Sequence, residues 1–213
     1  MRTLLCFGDS NTHGSPPMAT LQSTGRMGPS ERWPGVCRAA LGPGWQVVEE
    51  GLPGRTAARD DPLDGPAYNG LAALPMLLHS HAPVDAVAIL LGTNELKART
   101  PGSAEDIALG IELLVMAAKA SARGPGQTAP AVLLIAPPPI LEAGCLAEMY
   151  AGGAAKSARL GALCAAVAER QGVAFLDAGT LISSNPVDGV HFDPPAHAVL
   201  GRAVAGRVQA MFA

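Results

Sequence analysis

The sequence predicts a three-layer α/β/α sandwich around a parallel sheet, and three observations predict it. Five short apolar runs recur along the 213 residues, helical patterns separate them, and most of the runs are continuous rather than alternating. A continuous apolar run marks a strand covered on both faces, as helices cover a parallel sheet. Alternation of strand and helix supplies the crossovers that such a sheet needs.

The strand candidates are Thr3–Phe7, Gln46–Glu49, Ala86–Leu91, Val132–Ala136 and Ala174–Leu176. Between them, helices are expected over Glu31–Leu41, Gly70–Ser80 (with Pro75 inside it), Ser103–Ala122, about Ala154 to Arg170, and Pro195–Met211. Ser103 is the expected N-cap of the third, with Asp106 where a capping box usually carries Glu or Gln. Proline is tolerated in the first turn of the last one. Two segments are too rich in Gly, Pro and small residues for either pattern, Ser15–Pro29 and Pro137–Gly153. They follow strands, so they are candidate pocket walls, with Arg55–Asn69 a third.

Length and composition fit one domain. Hydrophobic residues make up 48% and charged residues 15% of the chain, which excludes a disordered chain. The net charge is −3 with no basic run, so neither a nucleic-acid nor an anionic-membrane partner is expected. Cys6, Cys37, Cys145 and Cys164 form no CxxC pair and are expected to be reduced. The N-terminal apolar run ends at Gly8-Asp9-Ser10, well short of a signal-type core, and Ala86–Leu91 is only strand-length. A cytoplasmic location is the resulting expectation.

Four motifs carry chemistry. Gly8-Asp9-Ser10-Asn11-Thr12-His13-Gly14 follows the first strand, and Glu50-Gly51-Leu52-Pro53-Gly54-Arg55-Thr56 the second. Leu91-Gly92-Thr93-Asn94-Glu95 follows the third, and Val187-Asp188-Gly189-Val190-His191-Phe192 precedes the last helix. Each alone reads as a turn or a cap. Together they supply a nucleophile (Ser10), two oxyanion donors (Gly54 and Asn94) beside the Ser10 N–H, a base (His191) and an orienting acid (Asp188). Asp193 competes with Asp188 as the acid. Asn11 and His13, next to the nucleophile, are the candidate substrate contacts. His79 and His81 offer only two ligands and no acid at metal-site spacing, so they read as solvated and no metal is expected. His197 falls within the last helix and reads as structural.

These blocks resemble the SGNH (GDSL-type) hydrolase superfamily: Gly8-Asp9-Ser10, Gly54 within Gly-Leu-Pro-Gly, Gly92-Thr93-Asn94, and Asp188 with His191. They run from residue 8 to residue 192. The stretches Leu5–Ser10, Glu49–Leu52 with Arg55-Thr56 and Asp60-Asp61-Pro62, and Asp177-Ala178-Gly179 resemble the bacterial arylesterase and acyltransferase branch. The resemblance implies a flavodoxin-like five-stranded sheet, a Ser-His-Asp mechanism without a cofactor, a small ester substrate and a homo-oligomer. It favours Asp188 over Asp193 as the acid. Two departures stand out. Glu95 follows Asn94 where Asp is usual, and is expected to support the loop. His13 stands where the arylesterase branch can carry Trp. Acyl transfer to an alcohol or peroxide, carbohydrate O-deacetylation and an inactive binding module are the competing readings.

Overall fold

The structure, a computed structural model, describes residues 1–213. Its strands are β1 (Arg2–Gly8), β2 (Trp45–Gly51), β3 (Ala86–Leu90), β4 (Ala131–Ala136) and β5 (Ala174–Asp177). All pair in parallel, in the order β2-β1-β3-β4-β5. The helices are α1 (Ser10–His13), α2 (Trp33–Leu41), α3 (Gly70–Ser80), α4 (Ala104–Ala120), α5 (Gly153–Ser157), α6 (Leu160–Gln171) and α7 (Pro194–Met211).

The continuous apolar runs divide residue by residue between two cores. Leu5, Phe7, Val87, Ile89 and Leu134 face the layer of α3, α4 and α6. Leu4, Cys6, Ala88, Leu90 and Leu133 face α2 and α7. Side chains alternate across a strand, so a strand buried on both faces must be apolar at every position. No helix is long and apolar enough to cross a membrane. All four cysteines are free.

Helix boundaries follow local chemistry. The Ser103–Asp106 capping box forms in both directions, at 3.1 and 2.8 Å. The helix expected from Glu31 begins at Trp33, because Arg32 is extended and its guanidinium is spent on Glu49. The Ala-rich stretch from residue 154 to 170 is two helices, α5 and α6. The Ser157 hydroxyl donates to the Ala154 carbonyl at 2.7 Å and accepts the Ile140 N–H at 3.0 Å. These contacts tie α5 to the 137–153 loop. The His81 side chain is 30% exposed, and its Nε2 lies 3.0 Å from Glu50 Oε1. His79 is exposed.

His197 on α7 is fully buried, and its Nδ1 accepts the Trp33 N–H at 3.2 Å, joining α7 to α2. Burial pulls its imidazole down to about 4. A folded-state value below the unfolded one means stability is complete above about pH 6.5 and is lost as pH falls toward 4. Between pH 7 and pH 5 the expected loss is about 2 kcal/mol. His197→Asn keeps an acceptor near the Nδ1 position and removes the proton. Its unfolding free energy, measured by urea titration at both pH values, should fall less than wild type by about that amount. Equal acid loss in the two proteins would show that His197 does not carry it.

Candidate active site

In an open α/β sheet, ligands sit beyond the carboxyl ends of the strands where the order reverses, here between β1 and β3. Ser10 and Asn94 follow those two strands. A Cβ at Gly8 would stand 2.0 Å from Thr12 Oγ1 and 2.7 Å from the Leu90 carbonyl. Only glycine therefore lets the chain pass from β1 into α1 at this closeness. Asp9 caps α1 by accepting the Asn11 N–H at 2.9 Å. Ser10 then occupies the first helical position, where its N–H has no partner within the helix.

Ser10 Oγ lies 3.1 Å from His191 Nε2, and His191 Nδ1 lies 2.7 Å from Asp188 Oδ2. Asp188 is fully buried. Its Oδ1 accepts the Val190 and His191 N–H groups, both at 2.9 Å, and its Oδ2 accepts the Met18 N–H at 2.7 Å. Burial alone would raise the Asp188 carboxyl; the His191 contact and the three N–H donors outweigh it and hold the group at about 2. Asp193 is the N-cap of α7, accepting from Ala196 N–H at 3.0 Å and from Asn185 Nδ2 at 3.1 Å. It does not reach the imidazole, so the pairing expected for Asp188 is the one the chain makes.

Gly54 and Asn94 line the same cavity as Ser10. Gly54 has a φ of +88°, and its N–H makes no backbone hydrogen bond. Asn94 Nδ2 donates one proton to the Arg55 carbonyl at 3.0 Å, and its Oδ1 accepts the Tyr150 hydroxyl at 3.3 Å. Both contacts fix the flip of the carboxamide and leave its second N–H for the cavity. Tyr150 carries no sequence motif; its role rests on a contact 56 residues away.

The cavity in front of Ser10 has a volume of about 430 Å³. His13 lines it, as expected. Burial, with Arg26 nearby, lowers the His13 imidazole from its usual value. Asn11, expected to touch substrate, does not line the cavity. It is 2% exposed; its Nδ2 donates to the Val190 carbonyl at 3.3 Å, and its Oδ1 accepts the Phe192 N–H at 3.1 Å. It stitches the nucleophile helix to the histidine loop.

The walls also depart from expectation. Met18 and Leu21 from one loop and Leu146 and Met149 from the other make an apolar surface. The 55–69 segment instead turns away, around the buried Asp61, which binds Lys97 and Arg99. Of its neighbours only Pro53 and Gly54 reach the cavity, and the buried Lys97 also lines it.

Two carboxylates lie buried under the site. Glu95 accepts the Ala57 N–H and supports the loop after β2, as expected. Burial pushes Glu95 up to about 7 and Asp9 up to about 6. Neither points at the cavity lining.

No curated protein matches the chain. A carbohydrate acetylesterase from Sinorhizobium meliloti has a similar structure, with a TM-score of 0.95 and 40% identity over 100% of both chains. The aryl esterase of M. smegmatis has a TM-score of 0.94 and 40% identity over 99% of both chains. The lipase/acylhydrolase from Enterococcus faecalis, at 17% identity and a TM-score of 0.69, shares the fold over 99% of this chain and 97% of its own. The family model of the GDSL-like lipases and acylhydrolases matches residues 6–199, which takes in all four motifs, and the chain belongs to that family.

Proposed function

We propose that Ser10, His191 and Asp188 carry the chemistry of this serine ester hydrolase, and that it acts on esters of short acyl groups. One observation carries the reading: the unbroken chain of contacts from Ser10 Oγ through His191 to Asp188, at 3.1 and 2.7 Å, opening on a cavity. Ser10 attacks the acyl carbon while His191 Nε2 takes its proton. Asp188 holds the imidazole with its Nδ1–H inward and stabilises the imidazolium. The N–H groups of Ser10 and Gly54 and the free N–H of Asn94 receive the oxyanion. The imidazolium returns its proton to the leaving alcohol, and water repeats the sequence on the acyl-enzyme. No step needs a cofactor.

Asn94 acts on the transition state, so Asn94→Ala should lower kcat roughly 10²–10³-fold with little change in KM. Steady-state kinetics on p-nitrophenyl acetate give both constants. A change confined to KM would make Asn94 a substrate contact instead.

The short acyl preference is supported by the cavity, whose 430 Å³ must hold both halves of the ester. The 40%-identical Sinorhizobium relative is an acetylesterase, which favours acetyl. Each methylene buried in a long groove would add up to ~0.8 kcal/mol, so kcat/KM would then climb with chain length. Across p-nitrophenyl esters from acetate to palmitate we expect a maximum between two and four carbons. A maximum at octanoate or longer would overturn the proposal.

A second reading, acyl transfer to an added alcohol, is favoured by the apolar wall of Met18, Leu21, Leu146 and Met149, since a drier acyl-enzyme partitions away from water. Ester product formed in the presence of ethanol would distinguish it from hydrolysis. The free cysteines support a cytoplasmic location. The exposed stripe of Leu109, Leu113 and Met116 on α4 supports homo-oligomerisation, which sedimentation would test.

A further inference from the structure

Met18 belongs to the 15–29 wall loop, yet its peptide is bound on both sides. Its N–H donates to Asp188 Oδ2 at 2.7 Å. That is the oxygen His191 Nδ1 contacts, also at 2.7 Å. Its carbonyl accepts the Cys145 thiol, with Sγ at 3.3 Å, from the other wall loop. The remaining donors to Asp188, the N–H groups of Val190 and His191, lie on the acid's own loop and bind Oδ1. Met18 thus supplies the one donor from elsewhere in the chain, 170 residues away, to the oxygen that orders the base.

A carboxylate oxygen shared between two donors gives less of its charge to each. Removing the Met18 N–H would leave Oδ2 to the imidazole alone and free it to shift. We propose that the Met18 peptide is a positioning group for Asp188, held in register by the Cys145 thiol, so that the two wall loops govern turnover as well as substrate fit. The proposal rests on the reading of Ser10, His191 and Asp188 as the reacting set.

Other titratable groups surround the pair. Asp9 lies beneath the nucleophile and His197 on α7, both sensing His191; Tyr150, across the cavity, senses Asp188. None of them hydrogen-bonds to the Met18 peptide. A change of pH profile on losing the Met18 N–H therefore reports on Asp188.

Met18→Pro extends the Pro16-Pro17 run and deletes the donor; Met18→Ala keeps the donor and trims the wall. Met18→Pro should lower kcat about tenfold, and move the acid-side rise of activity up by about half a pH unit, because the freed oxygen favours the imidazolium. Met18→Ala should change KM and leave the profile in place. Wild-type kcat and profile in folded Met18→Pro would overturn the proposal. If that variant does not fold, the Cys145 pair decides. Cys145→Ala should lower kcat about threefold with KM within twofold, and Cys145→Ser, which keeps a donor, should recover most of it. Unchanged kcat in Cys145→Ala, or no recovery in Cys145→Ser, would overturn it. Failure of the underlying triad appears separately, as an active Ser10→Ala enzyme.

Discussion

Ser10→Ala should leave no more than trace esterase activity, a fall of roughly 10⁴–10⁶-fold in kcat, in a protein that stays folded. The change removes one oxygen, whose only side-chain contact is His191 at 3.1 Å. Alanine suits the first turn of a helix, and α1 keeps its Asp9 cap and its Gly14 terminus. The melting temperature should therefore move little, while the acyl-enzyme can no longer form. The measurement is p-nitrophenyl acetate hydrolysis beside a thermal melt, with fluorophosphonate labelling of the wild type to locate the nucleophile. Activity within tenfold of wild type would remove Ser10 from its role.

Asp188→Asn should cost about 10⁴-fold in kcat and, unlike the serine change, lower stability as well. Every contact of this carboxylate is with a donor: Val190 and His191 N–H on one oxygen, Met18 N–H and the imidazole on the other. A carboxamide has one acceptor oxygen and one NH2 group, so either flip sets donors against donors. With NH2 on the imidazole side, His191 must present Nδ1 as an acceptor and its proton then faces Ser10, the wrong tautomer for a base. With NH2 on the other side, two backbone N–H groups are stranded in a dry site. Each stranded group costs about 1–3 kcal/mol, so the variant should unfold at measurably lower urea. A variant of wild-type stability with only a few-fold loss of kcat would contradict both the role and the contact map.

The fold was legible because parallel strands buried on both faces leave an unbroken apolar record, and five such runs with helices between them admit few topologies. The capping box at Ser103 and Asp106 is a local contact, and the sequence displays it directly. The choice between Asp188 and Asp193 was different. Both stand near His191, and only the resemblance favoured one; the structure adds that Asp193 is occupied in starting α7. What the sequence could not display are contacts between distant segments. Asn11 beside a nucleophile suggested a substrate contact, but its carboxamide is consumed by residues 190 and 192. The apolar wall is split among Met18, Leu21, Leu146 and Met149, each isolated in a loop rich in small residues, so no local pattern announces it. Tyr150 and Met18 reach Asn94 and Asp188 through hydrogen bonds across the fold, and such a bond leaves no periodicity behind.

The Asn11 stitch has a consequence in time. Ser10 and His191 stand 181 residues apart, and the groups that bind Asn11 flank that histidine. Until the chain has been made through His191, Ser10 Oγ lacks the one side chain it hydrogen-bonds. On the reading proposed for Ser10 and His191, a chain made only as far as α6 should hydrolyse no ester, because the pair meets only once the histidine loop has docked on Asn11.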